Sequence, residues 1–172
     1  MPVYALGELV PAIDPGAWVH PDAVVIGAVT LGPGVSIWPC AVPRGDYGRI
    51  EIGPRTSIQD GTVVHTTPEN PTIVGAECVV GHNAYIEGCT IEDEVLVGSL
   101  SAVLPLAVVG RGAVIAAGAT VTRGTSVPAR ALARGVPARI EPDAVEPGRW
   151  AAGVQRYVDN AEWFRRELRR LD

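Results

Sequence analysis

The 172-residue chain contains no lysine; its 14 basic residues are all arginine, and eleven of them lie at or beyond Arg111. With 19 acidic residues the net charge is −5, so the basic footprint of a nucleic-acid binder is missing. The arginines read as a solvated surface. The three cysteines, Cys40, Cys78 and Cys89, form an odd set without CxxC spacing, which excludes a disulfide framework. They are expected to be small buried hydrophobes. No long apolar run is present: residues 95–110 are uncharged but fall short of the roughly 20 needed to span a bilayer, and they include Pro105. The N-terminal residues lack the basic and apolar regions of a signal peptide, so a cytoplasmic location is expected.

Aromatics are also scarce, nine in all, whereas there are 20 Gly and 15 Pro in a chain that is 47% hydrophobic. Such a chain has core-forming residues, but in many short strands separated by turns. Their order shows a repeat. Ile13, Val19, Val25, Leu31, Ile37 and Pro43 stand six apart, and four residues after each of the first five comes Ala17, Ala23, Val29, Val35 or Ala41. The series breaks at "RGDYGR" and resumes at Ile52, Ile58 and Val64. It breaks again at "TTPENP" and resumes at Val74, Val80 and Ile86. A five-residue step then leads to Ile91, Val97, Val103, Val109, Ile115, Val121 and Val127. Neither a 3.6- nor a two-residue period generates this spacing.

A six-residue period marks a parallel β-helix, in which three short strands make one triangular coil. Aliphatics at the first position and small residues at the fifth fill a narrow prism, and Gly after the aliphatic is expected to ease the turn. The chain resembles the hexapeptide-repeat family, and that resemblance implies the left hand of the coil. The expected fold is therefore all-β, a single-stranded left-handed parallel β-helix over about 11–132 within one domain of 1–172. From Pro147 the period becomes 3.6: Trp150, Val154, Tyr157, Val158, Ala161, Phe164, Leu168 and Leu171 share one face of an expected helix over about 148–171. The intervening "ARGVPARI" is similar to an ending common in the hexapeptide family.

Counting faces across both interruptions stacks Arg44, His65 and Glu87 in one outward column, one per coil and about 4.8 Å apart. The same count puts Asp60 and His82 beside a different edge. A three-fold trimer would let the His82 edge of one subunit face the His65–Glu87 column of the next.

The string "VPRGDYGRIEIGPRTSIQDGTVVHTT", followed by "TIVGAECVVGHNAYIEGCTIEDEVLVG", resembles the γ-class carbonic anhydrases. This implies a homotrimer with zinc, or iron in some members, held by three histidines contributed by two subunits. The matched positions here are His65, His82 and, in place of the third histidine, Glu87. The resemblance further implies reversible CO2 hydration by a metal-bound hydroxide, with Gln59 hydrogen-bonded to the metal's solvent. Arg44, Asp46 and Asp60 resemble charges that pair across the trimer interface. Tyr47 stands where a proton-shuttling glutamate occurs, and the "TTPENP" loop offers only Glu69.

Two histidines and a carboxylate form a sound ligand set for zinc or non-haem iron. The carboxylate cancels one positive charge, so water at the centre should be less acidic than with three histidines and turnover slower. Two other functions fit the same residues. One is a hexapeptide-class acyltransferase using a histidine base on acyl-CoA. The other is a non-catalytic trimeric scaffold in which Glu87 merely pairs with an arginine such as Arg44. The expected partners are copies of the same chain and a small electrophile, CO2 or bicarbonate first, with no nucleic acid or membrane.

Overall fold

The structure, a computed structural model, describes residues 2–172. Every sixth aliphatic points into a prism, and the strand registers follow directly. Val19, Ile37, Ile58, Val80, Val97, Ile115 and Ala133 form one ladder of seven parallel rungs. Pro43, Val64, Ile86, Val103 and Val121 form a second, and Ile13, Leu31, Ile52, Val74, Ile91, Val109 and Val127 a third. The chain is a left-handed parallel β-helix closed by one C-terminal helix, as the period and the resemblance together imply. Its interior is continuous from Ala17 to Ala133, with alanine or cysteine where the prism is narrowest.

Both sequence interruptions and the five-residue step fall at the same corner, between the second and third ladders. The strand Val42–Ile52 runs through it with an irregularity opposite Gly27–Val29. Extra residues at one corner leave the other two faces in register, so Glu87 still pairs with His65 and His65 with Arg44.

The glycines after the aliphatics do not take the turn's left-handed backbone. That conformation falls two residues later, at Arg55, Glu77, Asn83 and Leu100. The glycines are needed for space: a Cβ on Gly98 would lie 2.5 Å from Ala117 N and 2.7 Å from Ile115 O of the next coil.

The ends of the prism show features the period does not carry. Val3–Tyr4 adds a parallel strand beside Val25–Leu31. Within "ARGVPARI", Arg139–Glu141 turns back antiparallel onto Leu132–Arg134 and covers the last coil. The helix spans Ala151–Glu167, shorter than the periodicity suggests; Leu168 and Leu171 lie beyond it and are exposed. It packs on the first ladder, where Trp18 and Trp38 meet edge to face at 4.9 Å and enclose Phe164 and Ala161.

Cys78 and Cys89 occupy narrow prism positions as expected, but Cys40 is exposed at a turn, where no packing demand falls on it. Burial pushes both interior thiols up to about 12. At pH 8 only about one in ten thousand of such thiols is ionised, and the thiolate is the reactive form. Alkylation of the native protein should therefore label Cys40 alone, and denaturation should raise the count to three; mass spectrometry reads both.

Candidate metal centre

His65 ends the strand Val63–His65 and Glu87 ends Tyr85–Glu87 on the next coil, side by side in the parallel ladder. Their backbones are tied together: the Thr72 hydroxyl donates to the His65 carbonyl, and Gly88 N–H donates to Thr72 Oγ1 at 2.7 Å. This holds the corner where the chain takes its five-residue step. His65 Nδ1 consequently stands 2.7 Å from Glu87 Oε1, and on the other side of the ring Nε2 stands 2.8 Å from Asp46 Oδ1. Both contacts are largely shielded from solvent.

A neutral imidazole has one N–H, so only one of these carboxylates can be satisfied by it. The other contact requires a second proton or a cation between nitrogen and oxygen. Partial burial raises the Asp46 pKa, but the hydrogen bond to His65, its own backbone N–H and the Arg44 charge outweigh that and hold it below the usual carboxylate range. Arg44 engages Asp46, so it does not pair with Glu87.

His82 lies elsewhere, at the turn after the first ladder, half exposed, with Nδ1 2.9 Å from Asp60 Oδ2. The stacking of Asp60 and His82 follows from the register, one coil above the other. The structure thus brings together Arg44, Asp46, His65 and Glu87 on one edge and Asp60 with His82 on another. Among the described residues of a single chain, no three His, Cys, Asp or Glu side chains are arranged to hold a metal ion. Asp46 and Glu87 approach opposite nitrogens of His65 and do not converge on one point.

Tyr47 is 65% exposed, its ring edge-on to His65 with centroids 6.1 Å apart. Gln59 is 3% exposed, and its Nε2 is buried without a hydrogen-bond partner. It sits in a cleft under the C-terminal helix, together with His82.

Tyr85 belongs to the cluster too, with a phenol pushed up to about 12 by desolvation and then by the hydrogen bond and charge of Glu87. The strand alternation signals it, since residues two apart on a strand share a face. The Asp46 contact to His65 had no such signal, because it depends on the irregular corner.

No family model matches the chain. It is 42% identical over 139 residues to the carnitine operon protein CaiE of Escherichia coli K12, covering 81% of this chain and 71% of that protein. It is also 42% identical over 135 residues to the mitochondrial γ-carbonic anhydrase 2 of Arabidopsis thaliana, covering 75% of this chain but only 49% of that protein. A hexapeptide transferase family protein from Anaplasma phagocytophilum superposes with a TM-score of 0.89 at 32% identity, over 95% of this chain and 98% of the other. A Bacillus cereus protein assigned provisionally as an acetyltransferase gives 0.92 at 30% identity, over 95% and 96%. The chain belongs to the γ-carbonic-anhydrase-like branch of the hexapeptide-repeat proteins.

Proposed function

We propose that the chain is a metal-dependent enzyme of the carbonic-anhydrase type, acting on CO2 or a similarly small electrophile at sites shared between copies of a trimer. The observation that carries this is the Asp46–His65–Glu87 arrangement, in which a ring with at most one N–H while neutral faces two carboxylates, a charge imbalance that either a second proton or an ion replacing the 2.7 Å His65–Glu87 hydrogen bond would relieve.

The donors fit zinc or ferrous iron. Two imidazole nitrogens and a carboxylate leave an open position in either coordination preference. Each histidine also has its other nitrogen on a carboxylate, His65 on Asp46 and His82 on Asp60, which fixes tautomer and ring orientation as an outer shell does. His65 and Glu87 would come from one copy and His82 from its neighbour. Bound there, Zn²⁺ or Fe²⁺ would supply Lewis acidity toward water.

The remaining roles belong to the chain. With an ion bound, Asp46 would hold the proton on His65 Nε2 and leave the Nδ1 lone pair, together with Glu87, to the ion. Asp60 would do the same for His82 through Nδ1, leaving Nε2 for the ion. Gln59 offers an unpartnered N–H for a solvent or substrate oxygen, and Tyr47 stands at the solvent side of His65, where a proton leaves.

The B. cereus and A. phagocytophilum likenesses support a second reading, acyl transfer from an acyl-CoA. Elemental analysis of protein purified without a metal-affinity tag separates the two. The carbonic-anhydrase reading predicts about one zinc or iron per chain and CO2 hydration that chelation abolishes. Metal-free protein that binds acetyl-CoA favours acyl transfer, and metal-free protein that binds neither is a scaffold.

A further inference from the structure

We infer that the coil spanning residues 100–106 carries an apolar contact, independent of any metal, through which one copy of this chain docks on the next. The three prism faces differ in what they turn outward. The helix covers the first ladder. The third turns out Thr30, Glu51, Thr90 and Ser126, a surface suited to water. The second turns out Val42, Val63, Tyr85 and Ala102 in one column, half-buried and with no helix over them. One coil concentrates this apolar character. Leu100 is 70% exposed at the corner before the second face, Ala102 and Leu104 lie on it, and Leu106 is 47% exposed at the corner after it. Single apolar side chains on a surface are ordinary, but a contiguous apolar strip marks an interface. Leu100 adds a second sign, because its φ of 61° lies in the left-handed region, where a Cβ crowds the backbone. The coils on either side place Asn83 and Gly118 at this corner, residues that suit the turn better. A leucine there is explained by what its side chain meets outside the chain.

Register identifies the partner. Leu100 N–H donates to the His82 carbonyl one coil below, so Leu100 stands above the His82 edge. Tyr85 pairs with Ala102 and Ile86 with Val103, so Leu104 stands above Glu87. In the trimer proposed above, the His82 edge of one copy meets the His65–Glu87 column of the next, and both surfaces continue upward at the same coil spacing of ~4.8 Å. The same docking therefore sets Leu100 of one copy against Ala102 and Leu104 of the next, three times around a closed ring. This contact rests on the trimer of that reading and not on its metal.

The test is sedimentation velocity over a concentration series on the full-length protein, as purified and after chelation, with metal content measured separately. The wild type should be trimeric in both preparations. Leu100→Asn suits the turn as Asn83 does one coil below, so it keeps the fold while removing the apolar contact. It should move the midpoint of trimer dissociation at least about tenfold to higher concentration. Leu104→Gln, on the receiving surface, should do the same, whereas Leu100→Met, apolar and of similar volume, should not. Val136→Asp changes a residue that is 72% exposed in the turn between the last two strands, and it should leave the trimer intact. A wild type that is not trimeric, dissociation of the wild type by chelation, or a Leu100→Asn protein as tightly trimeric as the wild type would each overturn the inference. A metal-free wild-type trimer that Leu100→Asn loosens would sink the metal reading and leave this contact standing.

Discussion

Glu87→Ala is expected to lower bound metal from about one ion per chain to under a tenth, with CO2 hydration falling in step. Among the described residues Glu87 supplies the one carboxylate in contact with His65 Nδ1, at 2.7 Å, and Asp46 is committed to the opposite nitrogen. Without Glu87 the site would keep two imidazoles from different copies, too few donors for a stable four-coordinate ion. Glu87→His should retain the metal and do something further. Exchanging a carboxylate for a neutral ring restores one unit of positive charge to the centre, which acidifies water more strongly. The pH midpoint of hydration should therefore move to lower pH and the rate at neutral pH should rise. Metal analysis and a pH–rate profile check both variants, and a Glu87→Ala protein that keeps its metal contradicts the ligand assignment.

Ile86→Ala is expected to destabilise the fold by about 2–5 kcal/mol, the usual range for emptying a fully packed aliphatic site. Ile86 is completely buried, between Val64 and Val103 on the neighbouring coils. A loss of that size is a large part of the ~5–15 kcal/mol that holds an ordinary domain together. In a solenoid each coil contacts only its neighbours, so the weakened coil is the one carrying Glu87, and metal affinity should fall alongside the denaturation midpoint. Leu100→Ala, by contrast, removes a side chain that is 70% exposed in the single chain and should move that chain's stability by no more than about 0.5 kcal/mol. Urea denaturation of both variants provides the comparison.

The six-residue period made most of the fold legible because a parallel coil converts sequence spacing directly into stacking. Ile37, Ile58 and Val80 lie on one face, and the pairing of His65 with Glu87 needs only that register and an intact count across two insertions. The count survived because both insertions lie at one corner and lengthen it without rotating the faces. The glycines after the aliphatics look like turn residues in the sequence, but they are placed by the close approach of the next coil, a contact between residues some eighteen apart that no local pattern displays. Composition alone groups Cys40 with the two interior cysteines, whereas its turn position leaves it outside.

The least legible part of the site depends on contacts far along the chain. Gln59 is buried because a helix more than 90 residues later covers the face on which it lies, and nothing near Gln59 announces that helix. The paired tryptophans Trp18 and Trp38 were the available signal, since two outward aromatics on successive coils need a cover. Asp46 reaches His65 only because the corner strand departs from the hexapeptide rule. Tyr85, in contrast, was recoverable from simple alternation with Glu87.

Subunit mixing tests whether each proposed metal centre is completed by a second copy of the chain. His82→Ala and Glu87→Ala chains each lack one part of every site, and each should purify without metal. Refolded together in equal amounts, every mixed trimer has one junction where an intact His82 edge meets an intact His65–Glu87 column. Sites shared between copies would give recovery of about one metal ion per four chains, with activity in proportion. Mixed protein that stays metal-free, or His82→Ala chains that hold a full complement of metal alone, would contradict that sharing.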